Sequence, residues 1–206
     1  MSGQLSFFSA GTRPPAYADL EGLLAGPGQV VRRGATARVS VLLVDPAEWR
    51  VTALITELAA LGLAAEVGSS GGRRATVVRT PFAAELTPLA QRWTAGAAKR
   101  PPAGLRLDGA QLRWWCLAAG RADATGFLLT LDPADDLSWP AVGAALAGAG
   151  VPGILLGPRA DGPAYRVLGA RRLTRLRELV GAPPAGSGPA DWPVGVRRPQ
   201  SAPGRG

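Results

Sequence analysis

The sequence predicts an α+β chain made of two pseudo-symmetric α-β-β-α-β-β-α units, and three observations predict it. Apolar residues at helical spacing alternate with pairs of short strand-like runs. Glycine and proline close most of these segments. The same order of elements then recurs at nearly constant offset, so that the helix stops Gly62 and Gly150 correspond and Leu86-Thr87-Pro88-Leu89 falls on Leu173-Thr174-Arg175-Leu176.

Residues 17–25 read as a helix that ends at Gly26-Pro27-Gly28. Strands over 29–33 and 38–44 follow, joined by the turn Gly34-Ala35-Thr36. Asp45-Pro46 opens a helix through Leu61 that places Leu54, Ile55, Leu58 and Leu61 on one stripe. A hairpin over 63–67 and 73–79 turns at Ser69-Ser70-Gly71-Gly72, and a helix over 82–93 closes the unit. In the second copy a helix over 109–119 stops at Gly120, and a strand over 126–131 leads to Asp132-Pro133. A helix over 139–149, a hairpin over 154–156 and 164–168, and a helix over 171–180 complete it. Its first hairpin is shortened around Arg121-Ala122-Asp123.

These units divide the chain into a flexible N-terminal peptide (1–16), a first repeat (17–93), a linker (94–108), a second repeat (109–180) and a Gly/Pro/Arg tail (181–206). The tail is too poor in large apolar groups to offset the entropy of ordering, so disorder is expected there. Trp139 to Pro158 carries no charge and is long enough to span a bilayer, but its glycines, alanines and scarcity of large apolar side chains predict no membrane span.

Composition limits the chemistry. Histidine is absent, which removes the commonest general base and a common metal ligand. The single cysteine, Cys116, excludes an internal disulfide and lies among aromatic and aliphatic neighbours, as a packing residue does. The acids Glu21, Glu57, Glu66, Asp123, Asp135 and Asp136 form no recognisable constellation, so no enzyme, metal or cofactor is expected. Lys and Arg number 23 against 15 Asp and Glu, a formal charge of +8 that favours polyanionic partners, and Lys99 is the one basic residue that is not arginine. No charged-then-apolar leader opens the chain, which predicts a cytoplasmic location.

The two first helices can be compared with a family motif. Leu20-Glu21-Gly22-Leu23-Leu24-Ala25-Gly26-Pro27-Gly28 resembles the LAGLIDADG helix of homing endonucleases in its leading Leu, inner Gly, aliphatic pair and final Gly. Leu112-Arg113-Trp114-Trp115-Cys116-Leu117-Ala118-Ala119-Gly120 keeps the first Leu and last Gly. The resemblance implies two helices packed through small residues and two four-stranded sheets forming a saddle over the DNA major groove. It also implies an acidic metal ligand just before each final Gly, where this chain has Pro27 and Ala119. Their loss predicts a bacterial-type, non-catalytic DNA-binding accessory protein, similar to the degenerate LAGLIDADG scaffold of the WhiA regulators but without their helix-turn-helix. Arg32, Arg33, Arg38, Arg73, Arg74, Arg79, Arg159 and Arg166 are the candidates for the DNA face, or else solvated edge charges that discourage sheet-to-sheet association. A monomer is expected, because an internal duplication supplies the symmetry of a dimer.

A second reading rests on the N-terminus. Gln4-Leu5-Ser6-Phe7-Phe8 resembles the bacterial peptide that docks on the replicative sliding clamp. Gln4, Leu5, Phe7 and Phe8 would then be partner-binding residues of an adaptor; alternatively, the two phenylalanines fold back onto the domain.

Overall fold

The computed structural model describes residues 13–70, 75–159 and 162–193. A 3₁₀ turn (Tyr17–Leu20) leads into α1 (Glu21–Ala25). Then come β1 (Gln29–Arg33), β2 (Thr36–Val44), α2 (Glu48–Ala60), β3 (Glu66–Ser70), β4 (Ala75–Arg79) and α3 (Thr87–Trp93). A short connector hairpin, β5 (Thr94–Ala95) and β6 (Ala98–Lys99), joins the copies. The second repeat comprises α4 (Gly109–Ala119), β7 (Gly120–Ala122), β8 (Gly126–Thr130), α5 (Trp139–Gly148), β9 (Gly153–Leu156), β10 (Ala164–Leu168) and α6 (Ala170–Val180).

Each repeat forms one antiparallel four-stranded sheet, ordered β1-β2-β4-β3 in the first and β7-β8-β10-β9 in the second. The two orders are the same once the copies are superposed in sequence, which supports the duplication independently of any residue identity. The shared leucines also keep their role, since Leu86, Leu89, Leu173 and Leu176 are all buried.

The two repeats share one hydrophobic cluster rather than two. Its centre is the contact between α1 and α4, which run side by side in the same direction. Gly22 lies against the backbone of Gln111, and a methyl group there would sit 1.8 Å from the Gln111 carbonyl oxygen. One turn further on, Gly26 lies against the Trp115 ring, whose indole N–H donates to the Thr130 carbonyl at 2.8 Å. At the other end of α4, Asp108 and Gln111 close a capping box that starts the helix.

Several boundaries differ from the sequence reading. Residues 13–16 are fastened rather than flexible, because Arg13 pairs with Asp19 and, at 3.0 Å, with Asp108, joining the starts of the two repeats. The 94–108 segment is not a flexible linker either, since its hairpin buries the Lys99 side chain. Residues 181–193 return to the domain. The Ala190 carbonyl accepts from the Ala122 amide at 2.7 Å, along the β7 edge, and Trp192 is buried. The Trp192 ring lies under the Arg113 guanidinium at 5.2 Å and donates its N–H to Gly181. One large aromatic side chain anchors a stretch whose composition otherwise signals disorder. Residues 194–206 lie outside the described residues. The uncharged stretch from Trp139 divides into the short α5 and the strand β9, and among the described residues no helix is long and apolar enough to cross a membrane.

Candidate nucleic-acid interface

Antiparallel register fixes which strand residues share a face. On the first sheet Val30, Val39, Val41 and Val78 enter the core. The opposite face carries the pairs Val31–Arg38 and Arg33–Thr36 from β1 and β2, and Ser40–Arg79 and Leu42–Val77 from β2 and β4. Among the described residues no helix covers this open face, and Leu42 is 48% exposed and Val44 61%. Arg38 and Arg33 reach over the Phe82 ring, at 4.5 and 6.0 Å from its centre. Phe82 is brought there by the hydrogen bonds that pair Ala83 with Ala37. Arg79 meets Glu66 at 2.8 Å, both about half exposed, a surface pair too weak to withhold the guanidinium from another anion.

On the second sheet Phe127, Leu129 and Val167 face the core, and Arg166 stands on the opposite face between Leu128 and Ile154. Arg166 extends across β8 to Asp123, 2.7 Å away. Burial alone would raise the Asp123 carboxyl. The amides of Thr125 and Gly126, with Arg166 nearby, outweigh that and hold it below the ordinary carboxylate range.

The eight arginines named from sequence therefore separate. Arg33, Arg38 and Arg79 lie on the open face of the first sheet; Arg166 lies on the second sheet's face away from the core, partly buried beside the fully buried Leu128. Arg32 lies on neither, because it pairs with the buried Ala37 and so points to the helix side. Arg159 sits in the turn after β9, off the strand ladder. Arg73, Arg74 and the peptide residues Gln4, Leu5, Phe7 and Phe8 lie outside the described residues. Arg121 on β7, paired with Leu128, joins Arg166 on that face of the second sheet and was not singled out by sequence. A three-residue strand offers too little alternation to reveal it.

The second place of interest is the foot of α1 and α4, where Pro27 and Ala119 stand. Neither can bind a metal ion, yet carboxylates are present. The loop after β8 delivers Asp132 and Asp135 to the end of α1, where Gln29 donates to Asp132. Both carboxylates face the ammonium of Lys99, at 3.4 and 3.5 Å. Lys99 also donates to the carbonyls of Gly26 and Gly28, at 3.1 and 3.0 Å. Among the described residues no group of three or more His, Cys, Asp or Glu is placed to hold a metal ion. The donor set thus fits an ammonium and not the divalent ions that the family resemblance implies.

No family model matches the chain, and no curated protein does. Among solved structures it is similar to the homing endonuclease I-WcaI bound to its DNA recognition sequence, at 9% identity over 87% of this chain and 83% of that one, with a TM-score of 0.56. It is also similar to mesophilic variants of the homing endonuclease I-DmoI, at 14% identity over 80% of this chain and 94% of that one, with a TM-score of 0.44. The first of these establishes the fold: an α+β, LAGLIDADG-like architecture of two pseudo-symmetric repeats. It also corrects the expectation that the chain is not an enzyme. The scaffold it shares is that of a nuclease. Pro27 and Ala119 remove only the helix-borne acids, and that loss does not by itself carry the expectation.

Proposed function

We propose that the chain binds double-stranded DNA, as a monomer, along the open faces of its two sheets. The observation that carries this reading is that strand register puts Arg33, Arg38 and Arg79 on one helix-free face and Arg166 on its counterpart in the other repeat. Arginine on a sheet face reaches phosphate oxygens through a planar, bidentate fork. The exposed Val31 and Leu42, with the half-buried Val77 between them, supply flat apolar contact of the kind that meets thymine methyl groups. A net charge of +8 draws the polyanion in from a distance.

Fluorescence anisotropy of a labelled duplex, titrated with the protein at several salt concentrations, tests the reading. Each phosphate contact contributes about 0.9 to the slope of log K against log salt. The triple variant Arg33→Ala, Arg38→Ala, Arg79→Ala is therefore expected to flatten that slope by roughly 2 to 3 and to weaken binding at every salt concentration. An unchanged slope would remove the sheet face as the site.

A further inference from the structure

Arg33 and Arg38 differ from Arg79 and Arg166 in having no carboxylate beside them. Arg79 meets Glu66 at 2.8 Å and Arg166 meets Asp123 at 2.7 Å, whereas among the described residues no acid pairs with Arg33 or Arg38. What these two share instead is the Phe82 ring, whose centre lies 4.5 Å from the Arg38 guanidinium and 6.0 Å from that of Arg33. We infer that Phe82 is a positioning residue of the DNA interface: its ring gathers the two guanidiniums into a ready-made pair for backbone phosphates. This role presupposes the DNA reading, and it falls to a residue that itself carries no charge.

The ring is held in place without help from either arginine. On one side of it the Thr80 amide donates to the Val39 carbonyl at 2.9 Å, and the buried Thr80 hydroxyl accepts from the Val39 amide at 3.1 Å. On the other side Ala83 and Ala37 exchange both backbone bonds, at 2.9 and 3.0 Å. Pro81 lies between these two fastenings with its φ fixed by its own ring, so the backbone at Phe82 keeps little freedom. The arginines are fixed at their end as well. The Thr36 hydroxyl donates to the Arg33 carbonyl at 2.9 Å and the Thr87 hydroxyl to the Ala35 carbonyl at 2.8 Å, which closes the turn joining their strands.

An aromatic face attracts a guanidinium through its quadrupole and leaves the N–H donors for another acceptor. A carboxylate partner would occupy those donors and cancel the charge, and the ring does neither. Two guanidiniums within 6.0 Å of one ring centre also repel each other, and a phosphate beside them relieves that repulsion. Ordering the two side chains in advance removes part of the rotamer entropy that binding otherwise costs. The ring therefore raises affinity without adding a phosphate contact.

Binding of a labelled duplex at several salt concentrations separates this role from a direct contact. Phe82→Ala removes no phosphate contact, so its line of log K against log salt is expected to lie parallel to that of the wild type, lower by roughly threefold to tenfold in affinity. Arg33→Ala with Arg38→Ala is expected to flatten the line by roughly 2 instead. Phe82→Leu keeps apolar bulk and loses the aromatic face, and is expected to bind as weakly as Phe82→Ala, whereas Phe82→Tyr is expected to bind like the wild type. Adding Phe82→Ala to the double arginine variant should change nothing further, because the ring then has no guanidinium to hold. If Phe82→Ala does not fold, Phe82→Leu against Phe82→Tyr carries the same comparison. Wild-type affinity in Phe82→Leu, or an equal loss from Phe82→Ala with and without the two arginines, overturns the inference and leaves the sheet-face reading standing. A slope unchanged by the double arginine variant overturns both.

Discussion

Glu21 is a buried carboxylate at the start of α1, held by Arg92 at 3.0 Å and by the Gln111 amide at 3.3 Å. Burial pushes its carboxyl above the ordinary value of 4.5, and the Arg92 charge only partly opposes this. A carboxyl raised on folding stabilises the protein fully below its unfolded value and loses that contribution as pH rises through the folded one. Ionised Glu21 therefore costs stability from pH 4.5 upward. Thermal melts of Glu21→Gln are expected to show a higher melting temperature than wild type at neutral pH and a shallower fall between mildly acidic and neutral pH. A lower melting temperature at neutral pH would mean that the Arg92 pair dominates. At this scale the sequence was only partly legible. Cys116 is buried as its neighbours indicate, and burial raises its thiol far above the reactive range. Lys99 was visible as the lone lysine, but its surroundings come from residues distant in sequence, and a Lys-Arg-Pro-Pro run reads locally as a linker.

Among the elements, the short α1 matters most. Its glycines are read in sequence as close-packing residues, and the structure assigns them that contact with α4. Gly22→Ala places its methyl group 1.8 Å from a backbone oxygen of α4, where no side chain can yield. The helices must separate, at a cost of about 3 kcal/mol or more. Gly148→Ala, at the end of α5 with open space around it, should be neutral or stabilising by up to about 1 kcal/mol. Urea unfolding of both variants checks the pair, and equal midpoints would contradict the packing described. A second fastening could not be read from sequence. Arg50 on α2 donates to the carbonyls of Cys116, at 2.9 Å, and Gly120, at 2.8 Å, and so closes the C-terminus of α4 with a positive charge. Strand positions were legible to within a few residues because they alternate, but the face each arginine occupies was not. Pleating alone turns Arg32 and Arg33, adjacent in sequence, to opposite sides, and which of them meets the open face shows only when the buried Ala37 is found opposite Arg32.

For the whole molecule, the repeat was the most legible feature, because helix stops and paired strands recur in one order. The single core across both copies was less so, since it depends on α1 meeting α4 and on Arg13, Lys99 and Arg113 fastening segments far apart in the chain. Arg113, for instance, joins Glu57 of the first repeat to the carbonyls of Val180 and Ala182 beyond the second. With the helices on one side of each sheet, the other side remains for a partner. The most direct measurement is photo-crosslinking to a labelled duplex. A photoreactive phenylalanine in place of Leu42, on the open face of β2, is expected to form a DNA adduct, and the same group in place of Ile55, exposed on α2, is expected to form none. Adducts from position 55 and not from position 42 would put the DNA on the helix side and contradict the proposed interface.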